Sequence, residues 1–315
     1  MQKARRLKPG DKIGVVSPSS PSERKSEVIR AAEKLIKLGY EVAIGKHVNS
    51  QKGIVSATEE ERLEDLHDMF TRDDIDAVFV TQGGYGAAQL VEKLNYDLIR
   101  KNPKIFIGFS DVTILHLAIG KFAELVTFHG PGMCRFNDED LTDYTYQQML
   151  KAIGNDVPVG TIPMADPKKW VHSITGGVCE GEVVGGNATL VCASLGTPYE
   201  IDTSGRILFL EDIDVEPWIF DHMLCQLRNA GKLKDVAGVV VGECVNCVPY
   251  DYKPGYYVDL SLEDILDYYL KPLGVPVLFG LPLGHTKDMA TLPLGVRARL
   301  DGDRKELTIL ESGVI

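Results

Sequence analysis

Short apolar runs alternate with amphipathic segments along the first 150 residues of the 315-residue chain. The runs have the length of buried strands, and the segments between them repeat apolar residues at helical spacing. Strands are predicted at residues 12–16, 41–44, 77–80 and 105–107, and helices at 23–38, 58–70, 87–94 and 111–122. Because these strands are apolar on both faces, the alternation predicts an α/β fold with a mainly parallel sheet flanked by helices.

The pattern becomes less regular after residue 150. Residues 151–169 are polar, rich in turns and poor in periodicity, and we predict that they link two domains. The N-terminal α/β domain would then span residues 1–150, and a second, smaller α/β or α+β domain would span residues 170–315. Short strands are predicted in this domain at 181–184, 207–210, 239–241, 297–300 and 307–310, with helices at 218–229 and 262–270.

The formal net charge of −11 provides no basic surface to neutralise phosphates, so we expect no nucleic acid and no anionic membrane as partner. The basic residues near the start of the chain are not followed by the apolar stretch and cleavage site of a signal peptide. No apolar run approaches the roughly 20 residues that span a bilayer. These features predict a cytoplasmic protein.

Six cysteines are scattered along the chain, which is not typical of a disulfide framework. Two of them form the sequence Cys244-Val-Asn-Cys247, a spacing found in zinc sites and in redox dithiols. Zinc would need two further ligands, and no second pair supplies them. A redox pair normally lies at the start of a helix, whereas this one follows a predicted strand. We therefore expect the pair to be incidental, and we predict no metal site.

One serine stands at the junction between a buried strand and a helix, in the sequence Gly108-Phe-Ser110-Asp111-Val112. A nucleophile elbow has this layout, in which a tight turn projects the hydroxyl from the sheet and helix amides face the oxyanion. The match to Gly-x-Ser-x-Gly is partial, because Val112 stands in place of the second glycine. The competing hypothesis is that Ser110 caps the helix, with Asp111 at the positive end of its dipole. This stretch alone favours the cap.

A glycine-rich turn, Gln82-Gly83-Gly84-Tyr85-Gly86, follows the preceding predicted strand. Ligands bind at the carboxyl ends of the strands in open α/β folds, so this turn and Ser110 are expected at the same edge of the sheet. The amides of the turn could donate to an oxyanion or to a phosphate, although the full P-loop signature is missing. The turn could also have a structural role alone.

A nucleophilic serine needs a base and a carboxylate that orients the base. Among the seven histidines, His285 lies in a turn after an apolar stretch, and His129 is its rival. Glu211 ends the predicted strand at 207–210, and Asp212 and Asp214 in the same acidic turn are alternatives. The residues alone leave both choices open.

Six short motifs occur in order along the chain: Gly-Gly-Tyr-Gly, Gly-Phe-Ser-Asp, His-Gly-Pro, Gly-Gly-Asn, Leu-Phe-Leu-Glu-Asp and Gly-Leu-Pro-Leu-Gly-His. With these motifs the chain resembles the LD-carboxypeptidase family, also called muramoyltetrapeptide carboxypeptidases or peptidase family S66. The resemblance implies a catalytic triad of Ser110, Glu211 and His285, with the active site between the two domains. It also implies an oxyanion hole made by the backbone amides of Asp111 and Gly84, and no metal or cofactor.

The same resemblance implies a serine carboxypeptidase that forms a homodimer. Its substrate would be a small peptide, murein tetrapeptide, from which it releases terminal D-alanine during cell-wall recycling. We expect substrate contacts from Gln82, Tyr85, His129 and Asn187. Typical members carry arginine where this chain has Gln82, and a neutral amide in place of a fixed positive charge would change specificity.

Two other hypotheses compete with this one. The microcin-immunity branch of the same family would use the same triad on a peptidyl or aminoacyl nucleotide, but it tends to carry a tryptophan-containing loop in place of Gly-Gly-Tyr-Gly. In a different class, the chain would be a non-catalytic two-domain binding protein in which Ser110 is only a cap. Serine, glutamate and histidine at three separate motif positions argue against this second hypothesis.

Overall fold

The computed structural model describes residues 1–137, 141–249 and 260–315. The strands are β1 (Lys12–Val16), β2 (Glu41–Ile44), β3 (Ala77–Val80), β4 (Ile105–Gly108), β5 (Thr127–His129), β6 (Gly160–Thr161), β7 (His172–Thr175), β8 (Val178–Asn187), β9 (Ile207–Glu211), β10 (Gly238–Gly242), β11 (Val277–Leu281), β12 (Leu292–Leu294), β13 (Arg297–Asp301) and β14 (Glu306–Ile309). The helices are α1 (Lys25–Lys37), α2 (Glu59–Thr71), α3 (Tyr96–Lys101), α4 (Thr113–Phe122), α5 (Asp143–Ile153), α6 (Ala188–Ser194), α7 (Pro217–Asn229) and α8 (Leu262–Leu270). In the described ranges no helix has the length and apolar character needed to cross a membrane.

The chain divides into two compact units. Unit 1 comprises Met1–Val159, Lys287–Val296 and Glu311–Ile315, and unit 2 comprises Gly160–Thr286 and Arg297–Leu310. Each unit contains one sheet, so each has its own hydrophobic core.

The sheet of unit 1 has six strands in the order β12-β5-β4-β3-β1-β2. Strands β1 to β5 pair in parallel, and β12 at the edge pairs antiparallel to β5. Every residue of β3 and β4 is buried, as is usual where helices cover both faces of a parallel sheet. The carboxyl ends of β1, β3 and β4 lie at one edge, so the turns that follow these strands are neighbours.

The sheet of unit 2 has eight strands in the order β6-β14-β13-β8-β9-β10-β11-β7. Its central strands β8 to β11 are parallel, and the outer strands pair antiparallel. Asn187 at the end of β8 is paired in register with Glu211 at the end of β9. The segments after β10 and β11 emerge at this same edge, which brings together residues that are far apart in the sequence.

The predicted α/β fold is confirmed, with a mainly parallel first sheet and a second sheet domain. The division of the chain differs from the expected boundaries, because residues 287–296 and 311–315 belong to unit 1 instead of the C-terminal domain. The reason is strand pairing: β12 completes the first sheet, with Leu292 opposite His129. Residues 151–169 are also more than a linker. Helix α5 extends to Ile153, whose side chain is buried, and β6 follows at Gly160–Thr161.

Helices α3, α5 and α6 are not indicated by the sequence pattern, and the helix predicted at 87–94 is wrong. A short 3₁₀ turn occupies Ala87–Gln89, after Gly86 with a φ of 114°. The nearest α-helix begins later, because the Asn95 side chain accepts a hydrogen bond from the amide of Leu98 at 3.0 Å and so caps α3.

The start of α2 allows a test of how the N-terminus of this helix is stabilised. The hydroxyl of Thr58 accepts from the amide of Glu61 at 3.2 Å, and the Glu61 carboxylate accepts from the amide of Thr58 at 2.9 Å. This is a capping box. We expect Thr58→Ala to lower the free energy of unfolding by about 1 kcal/mol, because a helix amide loses its acceptor. Urea unfolding followed by circular dichroism would measure the change.

The matched control is Thr71→Ala at the other end of α2. The Thr71 hydroxyl donates only to the carbonyl of His67, at 2.7 Å and in an exposed position. Its loss should cost less than about 0.5 kcal/mol. Equal losses in the two variants would contradict the capping explanation.

Candidate active site

Ser110 occupies a strained turn between β4 and α4. Its φ of 66° lies in the left-handed region, which is unfavourable for a residue with a Cβ. The N-cap residue of α4 is Val112, and the Ser110 side chain makes no capping hydrogen bond. The capping hypothesis therefore has no support in the geometry. A strained strand-to-helix turn that carries a serine is instead the arrangement of a nucleophile elbow.

The turn after β3 passes directly beside this serine. A Cβ on Gly83 would lie 2.6 Å from the Ser110 Cβ and 2.9 Å from its Oγ, so this position has room only for glycine. Gly84 has a φ of 106°, which also favours glycine. Ser20 holds the turn from the other side, since its amide donates to the Gly83 carbonyl at 3.3 Å and its Oγ accepts from the Tyr85 amide at 3.1 Å. The glycines thus allow the backbone to approach the hydroxyl.

Two buried charges fix the same region. The Arg62 guanidinium donates to the carbonyl of Pro18 at 2.7 Å and to that of Gly86 at 2.9 Å, which ties the turn after β1 to the turn after β3. The Asp111 carboxylate accepts from the amide of Ala87 at 2.8 Å, and burial raises the pKa of Asp111 above its usual value. The side chain of Asp111 is therefore committed to the glycine-rich turn. Its backbone amide follows Ser110 directly.

Two histidines lie behind Ser110 in unit 1. The His116 ring is 2.9 Å from the carbonyl of Gly108 through Nε2, and burial lowers the pKa of His116 to about 4. A neutral ring that donates Nε2–H to this carbonyl fits both facts. His129 at the end of β5 is also buried, and its ring centroid lies 6.1 Å from that of Phe109. These two rings form part of the packing beneath the turn.

In unit 2 the structure pairs Glu211 with His285. The Glu211 side chain is fully inaccessible, and its Oε2 lies 2.7 Å from His285 Nδ1 and 3.2 Å from the His285 amide. A Cβ on Gly284 would stand 2.3 Å from the same Oε2, and Gly284 has a φ of 97°. With Nδ1–H donating to Glu211, the acceptor nitrogen of a neutral His285 ring is Nε2. This arrangement is the one that a general base requires.

The two alternative carboxylates have other partners. Asp212 is buried and accepts from Asn187 Nδ2 at 3.0 Å, and from the amide and the hydroxyl of Thr189 at 2.9 and 2.8 Å. Asp214 accepts from Asn246 Nδ2 at 2.6 Å. Of the three acidic residues of this turn, Glu211 contacts His285.

The other residues predicted for the site are distributed between the units. Unit 1 contains Ser110, Asp111, Gly84, Gln82, Tyr85 and His129, and unit 2 contains Glu211, His285 and Asn187. The Gln82 amide donates to the Pro21 carbonyl at 2.6 Å, so it helps to hold the turn after β1. Asn187 caps α6 as well as contacting Asp212, whereas the Tyr85 side chain is exposed.

Sequence reasoning missed Ser20, Arg62 and Thr189, although each contacts a segment that carries a predicted site residue. For Arg62 no local signal exists, because a charged residue in an amphipathic helix usually faces solvent. Ser20 lies in a serine- and proline-rich turn after the first strand, and this composition at the carboxyl edge of the sheet is the only hint that the sequence offers.

Comparison with known proteins shows which family the chain resembles. Models of the LD-carboxypeptidase N-terminal domain and C-terminal domain match residues 13–130 and 180–300. A Bacillus subtilis protein named "Probable murein peptide carboxypeptidase" is 39% identical, over 99% of this chain and 95% of that protein. The Escherichia coli microcin C7 self-immunity protein MccF is 30% identical, over 96% of this chain and 94% of its own.

Solved structures show the same relationship. The crystal structure of muramoyltetrapeptide carboxypeptidase from Oxalobacter formigenes matches with a TM-score of 0.82 and 30% identity, over 96% of this chain and 99% of that one. Both domain models match in chain order, and the similarity extends over nearly the whole length. The chain therefore belongs to the LD-carboxypeptidase family of peptidases.

Proposed function

We propose that this protein is a serine-type LD-carboxypeptidase that releases terminal D-alanine from murein tetrapeptide. The observation that carries the catalytic part is the buried Glu211 carboxylate bonded to His285 Nδ1, because a triad carboxylate orients its histidine in this way. The strained turn at Ser110 provides a matching nucleophile. The substrate is supported by the names of relatives, a murein peptide carboxypeptidase and a muramoyltetrapeptide carboxypeptidase.

In the proposed reaction, His285 Nε2 accepts the proton of the Ser110 hydroxyl while Ser110 Oγ attacks the carbonyl carbon of the scissile bond. The backbone amides of Asp111 and Gly84 donate to the oxyanion, and one such donor typically contributes about 10² to 10³ in rate. His285 then protonates the leaving amine of D-alanine. Water hydrolyses the acyl-enzyme by the same route, and Glu211 stabilises the imidazolium each time it forms.

The proposal assigns cell-wall recycling and a homodimer on the family resemblance, and a cytoplasmic location on the sequence features that predict it. The competing substrate class is an aminoacyl nucleotide, as expected for the microcin-immunity branch. The turn Gly83-Gly84-Tyr85-Gly86 supports the murein substrate, because that branch tends to carry a different loop. Incubation with murein tetrapeptide and with an aminoacyl nucleotide in parallel separates the two. Hydrolysis of the nucleotide alone would overturn the murein assignment.

We expect Ser110→Ala to reduce D-alanine release by about 10⁴-fold or more, because the reaction loses its nucleophile. Mass spectrometry of murein tetrapeptide incubated with each protein would measure the release. The control is Ser204→Ala, which removes an exposed hydroxyl in unit 2 and should leave the rate unchanged. Equal release by wild type and Ser110→Ala would exclude Ser110 as the nucleophile.

We expect Glu211→Gln to lower kcat by about 10² to 10⁴ with a small change in KM, because the amide keeps the size of the side chain but no longer stabilises the imidazolium. The matched control is Asp214→Asn, since Asn can still accept from Asn246 and tolerates the φ of 53° at this position. Steady-state kinetics of both variants would test the choice of carboxylate. A larger loss in Asp214→Asn than in Glu211→Gln would reassign the triad.

A further inference from the structure

The Arg62 side chain lies inside unit 1, where arginine is seldom buried without fixed partners. Only 3% of this residue is exposed. Its Nη1 atom donates to the Pro18 carbonyl at 2.7 Å and to the Gly86 carbonyl at 2.9 Å, and Nη2 donates to Gln89 Oε1 at 2.6 Å. A buried cation is costly unless such bonds replace its hydration. Arg62 is therefore committed to one carbonyl in the turn after β1 and one in the turn after β3.

The carbonyl of Gly86 belongs to a peptide unit that is held from both sides. Arg62 binds this carbonyl, and the amide of the same unit, on Ala87, donates to the Asp111 carboxylate at 2.8 Å. Asp111 is buried as well, and it follows Ser110 directly in the chain. This one peptide unit thus fixes the end of the glycine-rich turn relative to the Ser110 turn.

The start of the glycine-rich turn is fixed through Ser20, two residues after Pro18. The Ser20 amide donates to the Gly83 carbonyl at 3.3 Å. In a trans peptide unit the C=O and N–H bonds point in opposite directions, so this contact sets the direction of the Gly84 N–H. The same peptide unit lies beside the nucleophile, because a Cβ on Gly83 would stand 2.6 Å from the Ser110 Cβ.

We propose that Arg62 is a positioning residue for the oxyanion hole. By holding the turn after β1 against the glycine-rich turn, it keeps the Gly84 amide in the direction that the tetrahedral oxyanion requires. Arg62 acts through the backbone of these turns, and it is not itself a catalytic residue. The proposal rests on the function proposed above, in which the amides of Asp111 and Gly84 donate to the oxyanion.

The shape of the guanidinium makes arginine specific for this role. The two N–H bonds of Nη1 lie in one plane at a fixed angle, so the positions of the two carbonyls that they bind are fixed relative to each other. The ammonium of lysine carries the same charge on a flexible stem and does not fix this geometry. A displacement of about 1 Å at a catalytic group is enough to lower a rate about 10²-fold.

The experiment compares wild type with Arg62→Lys. We expect kcat on murein tetrapeptide to fall about 10- to 100-fold with little change in KM, because oxyanion donors act mainly in the transition state. The rate at which a fluorophosphonate probe labels Ser110 should fall by a similar factor, because the phosphonyl oxygen uses the same amides. This second readout does not require a murein substrate.

A second variant, Ser20→Ala, decides the question if Arg62→Lys does not fold. The Ser20 hydroxyl accepts from the Tyr85 amide at 3.1 Å and donates to the Ile54 carbonyl at 2.8 Å, both in exposed positions. Its loss loosens the contact between the two turns but leaves the Ser20 amide in place. We expect a fall in kcat of about 3- to 10-fold, again with little change in KM.

The matched control is Lys104→Met, which removes another buried cation of unit 1. Lys104 is 8% exposed and donates to the carbonyls of Met69 and Arg72 at the end of α2. It directly precedes β4, and so lies at the opposite end of this strand from Ser110. Lys104→Met should lower the urea midpoint of unfolding but leave kcat and the labelling rate unchanged. A loss of kcat as large as that in Arg62→Lys would overturn the positioning role.

The remaining outcomes are also decisive. Wild-type kcat and labelling in folded Arg62→Lys would overturn the proposal, as would a rise in KM without a change in kcat. If wild type is labelled at Ser110 but does not hydrolyse murein tetrapeptide, the murein substrate fails, and the labelling rates still decide the role of Arg62. If wild type does neither, the serine mechanism fails, and the role of Arg62 fails with it.

Discussion

The buried carboxylate of Glu211 is the constraint on which the edge of unit 2 depends. Removing an ionised carboxylate from water costs several kcal/mol unless hydrogen bonds replace its hydration. His285 provides two donors, the Nδ1 atom and the backbone amide, and both reach the same oxygen. They do so because Gly284 has a positive φ and no Cβ that would strike the carboxylate. The conformation of the turn after β11 therefore accommodates the Glu211 carboxylate at the end of β9.

Unit 1 meets a different constraint, also at the carboxyl ends of parallel strands. Ser110 is held in a left-handed conformation, which costs about 1 to 3 kcal/mol and persists only where the surroundings determine it. The buried strands β3 and β4 hold the chain where the glycine-rich turn and the Ser110 turn begin, and Gly83 leaves space for the serine side chain. Buried hydrogen bonds from Arg62 then hold the neighbouring turns. In both units, parallel pairing places the carboxyl end of one strand beside the turn that follows the neighbouring strand.

The parts of this arrangement that the sequence predicts are those with a local signal. Buried strands such as β3 and β4 are short apolar runs, and the long helices have amphipathic spacing, so the first sheet follows from the pattern. The sequence carries no local signal for the position of β12 in the sheet, because its pairing with β5 depends on a contact across more than half the chain. The contact that distinguishes Glu211 from Asp212 and Asp214 is also non-local, because His285 follows β11, which lies two strands away from β9 in the sheet. Adjacent carboxylates differ in direction, which composition does not record.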